Sequence, residues 1–426
     1  MDRSFVLKGN FCFSGDAQTL EVFPRGCLVC ENGLSRGIYA AVPERYQALP
    51  VKDYGEMLVI PGLVDLHVHA PQFAFRSLGM DLELLEWLAK HAFPEEAKYQ
   101  DLAYADAAYD AFVEDVKHGP NTRACVFATC HVPATIRLME KLERSGLCTL
   151  VGKVNMDRNA PPALQEESAE ASLKDTAAWV AEVAGRFENT GPILTPRFIP
   201  SCSGALLMGL GELKRRAGIP AQSHLSENPA ECEWVLALCE GAVGYADAYA
   251  RFGLFDGEAK TVMAHCVWSE KEEMKLMRER GVFVAHCPQS NANIASGIAP
   301  VRRFLNMGLK VGLGSDVAGG CHTSIFRAMT DAVQASKLRW RLIDEEDAPL
   351  TLREAFYLAT LGGGEFFGKV GSFAPGYEMD AVVIDDRAIA PEGMAIEERL
   401  ARVAYLSDDR HIRQKFVRGR AIFANA

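Results

Sequence analysis

No stretch of the 426-residue chain reaches the ~18 uninterrupted apolar residues that a membrane-spanning helix needs. The first residues, Met1-Asp2-Arg3-Ser4-Phe5, lack a basic segment followed by an apolar one, so no export signal is expected. Positive charge is short as well: 45 Lys and Arg stand against 56 Asp and Glu, a net charge of −11. Such a surface repels phosphate backbones, which excludes nucleic acid as the expected partner but not a small neutral molecule. Cys27 and Cys30 form a C-x-x-C, yet no second pair at matching spacing exists, so a zinc or redox reading competes with an ordinary strand. Many of the twelve cysteines, such as Cys125, Cys148, Cys266 and Cys287, sit inside apolar runs. Reduced thiols and a cytoplasmic location are therefore expected. Low-complexity tracts and sequence repeats are missing too.

What is present suits a large globular protein. Apolar residues make up 49% and charged residues 24%. The length fits a large barrel plus a smaller appended domain. Short β-like runs punctuated by Gly and Pro occupy roughly residues 5–60, for example Met57-Leu58-Val59-Ile60. They return near the end as Ala381-Val382-Val383-Ile384 and in residues 416–423. Between them, eight apolar runs begin near Leu63, Ala124, Thr149, Ile193, Ala221, Thr261, Val282 and Lys310, alternating with stretches of helical period. Expected helices include Ala134–Ser145, Leu173–Phe187 and Glu270–Arg280, the last opened by a capping box of Ser269 and Glu272. This pattern predicts an α/β (β/α)₈ barrel with a small β-sandwich-like domain built from both chain ends. The expected boundaries are 1–58, 59–374 and 375–426. Residues 73–118 exceed one βα unit, with helices expected at Asp81–His91 and Asp101–Lys117. An insertion after a barrel strand lands on the face where such barrels place their sites.

The chemistry starts in Pro61-Gly62-Leu63-Val64-Asp65-Leu66-His67-Val68-His69. His67 and His69 are two apart on a strand, so both imidazoles share one side. They could bind one divalent metal or be core histidines bonded to backbone. Later strand ends supply His224 (Gln222-Ser223-His224), His265 (Met263-Ala264-His265) and Asp316 (Gly314-Ser315-Asp316). In a barrel these ends meet at one mouth, and five such side chains there would be costly without a metal or other partners. His286 is expected to support the site without binding metal. Lys153 lies on strand three. Strand four reads Leu194-Thr195-Pro196-Arg197-Phe198 and has no lysine to bridge two ions, which favours one metal.

Together, Pro61–Gln72, Leu84–Trp87 with Phe93-Pro94, Thr195–Phe198 (TPRF), Ser223–Asn228 (SHLSEN), His286–Asn291 (HCPQSN) and Gly312–Gly320 resemble the guanine deaminases of the amidohydrolase superfamily. The likeness runs from about residue 55 to 410. It implies one zinc per chain, or iron as in some relatives, held by His67, His69, His224 and Asp316. It implies that His265 faces the attacking water and that Gln72, Arg197 and Phe198 contact the purine, beside His224 and Glu227. It implies hydrolysis of guanine to xanthine and ammonia, and a homodimer. Glu227, three residues past His224, would carry protons between N3 and the departing amine, and Asp316 would take the proton of water. Two places depart from the pattern: Gly119-Pro120-Asn121-Thr122-Arg123, and Cys321-His322 after strand eight, which could alter a pocket wall. Arg197 could instead serve a structural ion pair, and Gln72 could be a solvated loop amide. Rival readings are another heterocycle aminohydrolase and a metal-free scaffold protein.

Overall fold

The first barrel strand, Leu63–His69, is buried at every position, as a parallel strand covered on both faces must be. It pairs in parallel with Asn121–Phe127, which pairs with Cys148–Gly152, which pairs with the short Thr190–Pro192. The second half runs Ala221–Leu225, Thr261–His265, Phe283–His286 and Lys310–Leu313, again parallel and in chain order. A bridge between Leu194 and Ala221 joins the halves on one side. On the other, Asp316 N–H donates to His67 O at 2.8 Å and His69 N–H to Val317 O at 3.2 Å, closing the ring. These features come from a computed structural model that describes residues 3–425.

Helices cover the outside. Leu102–His118 begins at Asp101, whose carboxylate accepts from Ala103 N–H, and Val132–Ser145 stops at Gly146 in the left-handed region. Their apolar faces, with Phe112, Leu138 and Leu142, pack onto the barrel. Among the described residues, no helix is long and apolar enough to cross a membrane. The expected box of Ser269 and Glu272 does not form. The helix is Lys271–Glu279, Glu270 stands before it without a side-chain cap, and the Ser269 hydroxyl donates to Glu273 at 2.6 Å. That buried carboxylate also takes bonds from Ser226 and Ala246, so it outcompetes the backbone for the hydroxyl.

Strands from both chain ends form one seven-stranded sheet. Its order is Arg420–Ala424, Ile412–Val417, Ala381–Ile384, Val51–Pro61, Phe5–Ser14, Leu20–Glu31 and Leu34–Tyr39. Cys27 and Cys30 lie inside Leu20–Glu31, buried, and Cys30 Sγ donates to Arg3 O at 3.0 Å. Val51–Pro61 feeds directly into the first barrel strand through Gly62, where an added Cβ would lie 2.1 Å from Thr122 Oγ1.

The unusual Gly119–Arg123 segment is where this sheet meets the barrel. Lys415, buried, donates to the carbonyls of Val116, Gly119 and Asn121 at 2.8–3.0 Å. Arg123 grips Asp380 with two bonds, at 2.6 and 3.2 Å, and Glu378 with a third at 2.6 Å. Removing one partner of a buried ion pair strands the other. Arg123→Ala should lower the unfolding free energy by about 3–5 kcal/mol. Urea denaturation measures this, and a loss under 1 kcal/mol would mean the pair does not tie the sheet to the barrel.

Candidate metal centre and active site

His67 and His69 project from the first strand, His224 ends the fifth, and Asp316 follows the eighth. His69 Nε2 lies 3.2 Å from both His67 Nε2 and His224 Nε2. Asp316 Oδ1 is 3.1 Å from His67 Nε2 and 3.5 Å from His69 Nε2. The Phe127 ring packs 4.8 Å from His67 and 4.5 Å from His69, holding both edges inward.

Whether a metal fits is decided by protons. His224 Nδ1 sits 2.6 Å from Arg197 O, so this nitrogen carries the hydrogen and donates it, leaving a lone pair on Nε2. Burial holds His67, His69 and His224 below the usual imidazole range, so they are neutral near pH 7. The three Nε2 atoms and Asp316 Oδ1 thus face one point, spaced 3.1–3.5 Å from their neighbours, and His224 offers it a lone pair. Donors ~2.0–2.1 Å from one ion at tetrahedral angles lie about 3.3 Å apart. The spacing and the three-nitrogen, one-oxygen chemistry therefore fit a single divalent ion.

Glu227 and His265 adjoin this cluster. Burial, then the charge of Asp316, pushes the Glu227 carboxyl well above its usual range. Burial also disfavours the charged form of Asp316, but the hydrogen bond to His67 and the attraction of His67, His265 and His69 whenever these rings carry a proton outweigh it and hold the group below the usual carboxylate range. Glu227 Oε2 lies 3.4 Å from His265 Nε2, and Oε1 accepts from Ser296 Oγ at 3.3 Å. His265 Nδ1 bonds Asn291 Oδ1 at 2.9 Å, so Nε2 faces the cavity without a hydrogen-bond partner. Three residues at these strand ends, Ser226, His265 and Asp316, take positive φ (47°, 73° and 46°). That strained turn aims each away from the run of its strand.

One cavity joins these groups to Gln72, Arg197 and Phe198, with apolar walls from Leu84, Trp87, Leu88 and Ile294. Gln72 is buried rather than a solvated amide: Oε1 accepts from Ala318 N–H at 3.2 Å and Nε2 donates to Glu96 Oε1 at 2.8 Å. Arg197 both lines the cavity and forms a buried ion pair with Glu96. Cys321 and His322 do not line this cavity, contrary to the expected wall. Cys321 N–H is tied to Gln289 Oε1 at 2.6 Å, and Ile294 supplies the wall. His286 is buried outside both metal-competent clusters, and burial drops it to about 3. Lys153 turns from the centre to pair with Glu166.

Residues 58–422 match the amidohydrolase family. The chain belongs to that family. Among similar amidohydrolases, a guanine deaminase of Dictyostelium discoideum is 37% identical over 381 residues, 87% of this chain and 84% of the relative. A guanine deaminase of Rattus norvegicus is 38% identical over 377 residues, 85% and 82% respectively. A crystal structure of guanine deaminase from C. acetobutylicum with bound guanine in the active site superposes with a TM-score of 0.96 at 42% identity. It covers 99% of this chain and 100% of that one. The amidohydrolase barrel with its end sheet is thus the fold of this chain.

Sequence reading assigned no part to Asp65, although a lone carboxylate in an otherwise apolar run was a usable signal. Asp65 accepts from His67 N–H at 3.1 Å, Ser315 N–H at 3.0 Å and Ser315 Oγ at 2.5 Å. It braces the first strand against the eighth directly behind two of the candidate ligands, His67 and His69. Asp65→Asn turns an amide donor toward one of these donors and should cost about 1–3 kcal/mol in urea denaturation. Unchanged stability would remove Asp65 from this bracing role.

Proposed function

We propose that this amidohydrolase is a guanine deaminase, converting guanine and water to xanthine and ammonia with one zinc ion held by His67, His69, His224 and Asp316. The observation that carries the reading is the single cavity onto which His69, His224 and Asp316 open together with Glu227, Arg197 and Gln72. A divalent ion in the cage supplies Lewis acidity, which makes water a competent nucleophile at neutral pH.

The chain's own groups do the rest. Water oxygen bonds to guanine C2, and the ionised Asp316 takes the proton it loses. Charge flows to N3, where Glu227, held in its acid form, delivers a proton. His265 Nε2 faces the oxygen on the now tetrahedral carbon. Glu227, now a carboxylate, takes the proton of the hydroxyl on that carbon and passes it to the exocyclic nitrogen. The C2–N bond breaks, ammonia leaves, and the proton held by Asp316 restores Glu227. Arg197 donates to O6. Gln72 has one Nε2 hydrogen left after bonding Glu96, so it suits a purine acceptor other than N3, which Glu227 protonates, and not N1–H. Phe198 packs against the ring. Adenine offers no C6 oxygen and would leave the Arg197 donor buried and unpaired.

The test is ammonia release from guanine, adenine, cytosine and 8-oxoguanine, run on the native enzyme and on Glu227→Gln. Guanine should be preferred by the native enzyme. Glu227→Gln should retain metal and guanine binding but lose ~10³-fold or more in turnover, since one group serves two proton transfers. Preference for another base would replace guanine as substrate. Near-normal turnover of the metal-loaded variant would sink the proton-carrier role.

A further inference from the structure

We infer that Glu96 is a positioning residue that sets guanine selectivity by holding Arg197 and Gln72 together in their donating orientations; this rests on the guanine pose above. Glu96 lies on the short helix Phe93–Ala97, inside the segment inserted after the first barrel strand, and is 3% exposed. Its two oxygens take one donor each: Oε1 from Gln72 Nε2 and Oε2 from Arg197 Nη1. The two donors are 125 residues apart in the sequence (197 − 72), and this carboxylate bonds both of them.

The chemistry of a carboxylate makes this more than filling space. Ionised, it only accepts, so it admits only the NH₂ end of the Gln72 amide. Ala318 N–H fixes the other end as the acceptor, at 3.2 Å. The amide cannot flip without facing two like groups at once. Arg197 is fixed in the same way on two sides: Glu96 takes one guanidinium nitrogen, and the Phe93 ring stacks with the guanidinium carbon 4.9 Å from its centroid. Phe93 and Glu96 are three apart on one helix and so share a face. Among the described residues, no other side chain ion-pairs with Arg197, leaving its remaining N–H groups for the cavity. Glu96 cannot itself bond O6 or another purine acceptor, because it only accepts. Its effect on the purine must pass through the two donors it holds.

Glu96→Gln keeps the shape but replaces one acceptor oxygen by a donating NH₂, so its remaining carbonyl oxygen can take only one of the two donors. We expect kcat/KM for guanine to fall about 10- to 100-fold, mainly through KM. The inhibition constant of 2-aminopurine, which lacks the C6 oxygen, should change less than about threefold. Metal content should stay at the native level. In an Arg197→Ala background, Glu96→Gln should cost less than it does in the native enzyme, since only its hold on Gln72 is left to lose. Should Glu96→Gln fold poorly, Glu96→Asp retains the charge and shortens the reach, and should show the same shift in selectivity at smaller size. Unchanged guanine KM, equal losses for guanine and 2-aminopurine, or full additivity with Arg197→Ala would each overturn the assignment. A native enzyme that does not act on guanine would overturn the parent reading and this one with it. A normal native enzyme with an indifferent Glu96→Gln overturns this one alone.

Discussion

Three buried imidazoles converge, His69 Nε2 3.2 Å from both His67 Nε2 and His224 Nε2, with a carboxylate oxygen 3.1 Å from His67. Burying four such polar groups together is costly unless they share a partner, and a divalent cation satisfies all four at once. The rest of the structure reads as the means of holding that cluster in place. Arg197 O fixes the tautomer of His224, Asp65 braces the strand that carries His67 and His69, and Phe127 blocks their retreat. Gly314 lets the eighth strand approach, since a Cβ there would lie 2.7 Å from Cys287 Sγ and 2.9 Å from His67 Cβ. Strained backbone at His265 and Asp316 completes the mouth.

The same carbonyl links catalysis to recognition. Arg197 gives its backbone oxygen to His224 and its side chain to the cavity, where Glu96 restrains it. A shift of this residue would therefore be felt both at the metal cage and at the purine. Glu227 occupies the corresponding position on the other side: its side chain faces His265, while Glu231 accepts from its backbone N–H at 3.1 Å. The residues proposed for proton transfer and for holding the purine thus sit at two adjacent strand ends.

Much of this was legible before any coordinates. Period-two spacing put His67 and His69 on one face, and the eight apolar runs named the barrel because each is a strand buried on both sides. Strand four was harder. Pro192 and Pro196 lack N–H groups, so it breaks into Thr190–Pro192 and Thr195–Pro196, the latter paired with Val154–Asn155. Glu96 was invisible because its partners, Gln72 and Arg197, come from other segments and no local period marks a tertiary ion pair. The Ser269–Glu272 box misled for a related reason: a local pattern was read without the buried Glu273 that claims the hydroxyl. The Cys321-His322 departure looked like a pocket wall only because the chain position was near the eighth strand. Instead Cys321 Sγ accepts from Asn293 Nδ2 at 3.5 Å, its backbone N–H donates to Gln289, and His322 is exposed.

The account stands or falls on the cage holding one divalent ion. Elemental analysis of the purified protein, beside His69→Ala prepared the same way, asks this directly. One zinc per chain in the native protein and a clear deficit in the variant is the predicted result. Two ions per chain, or no metal after gentle purification of an active protein, would contradict it.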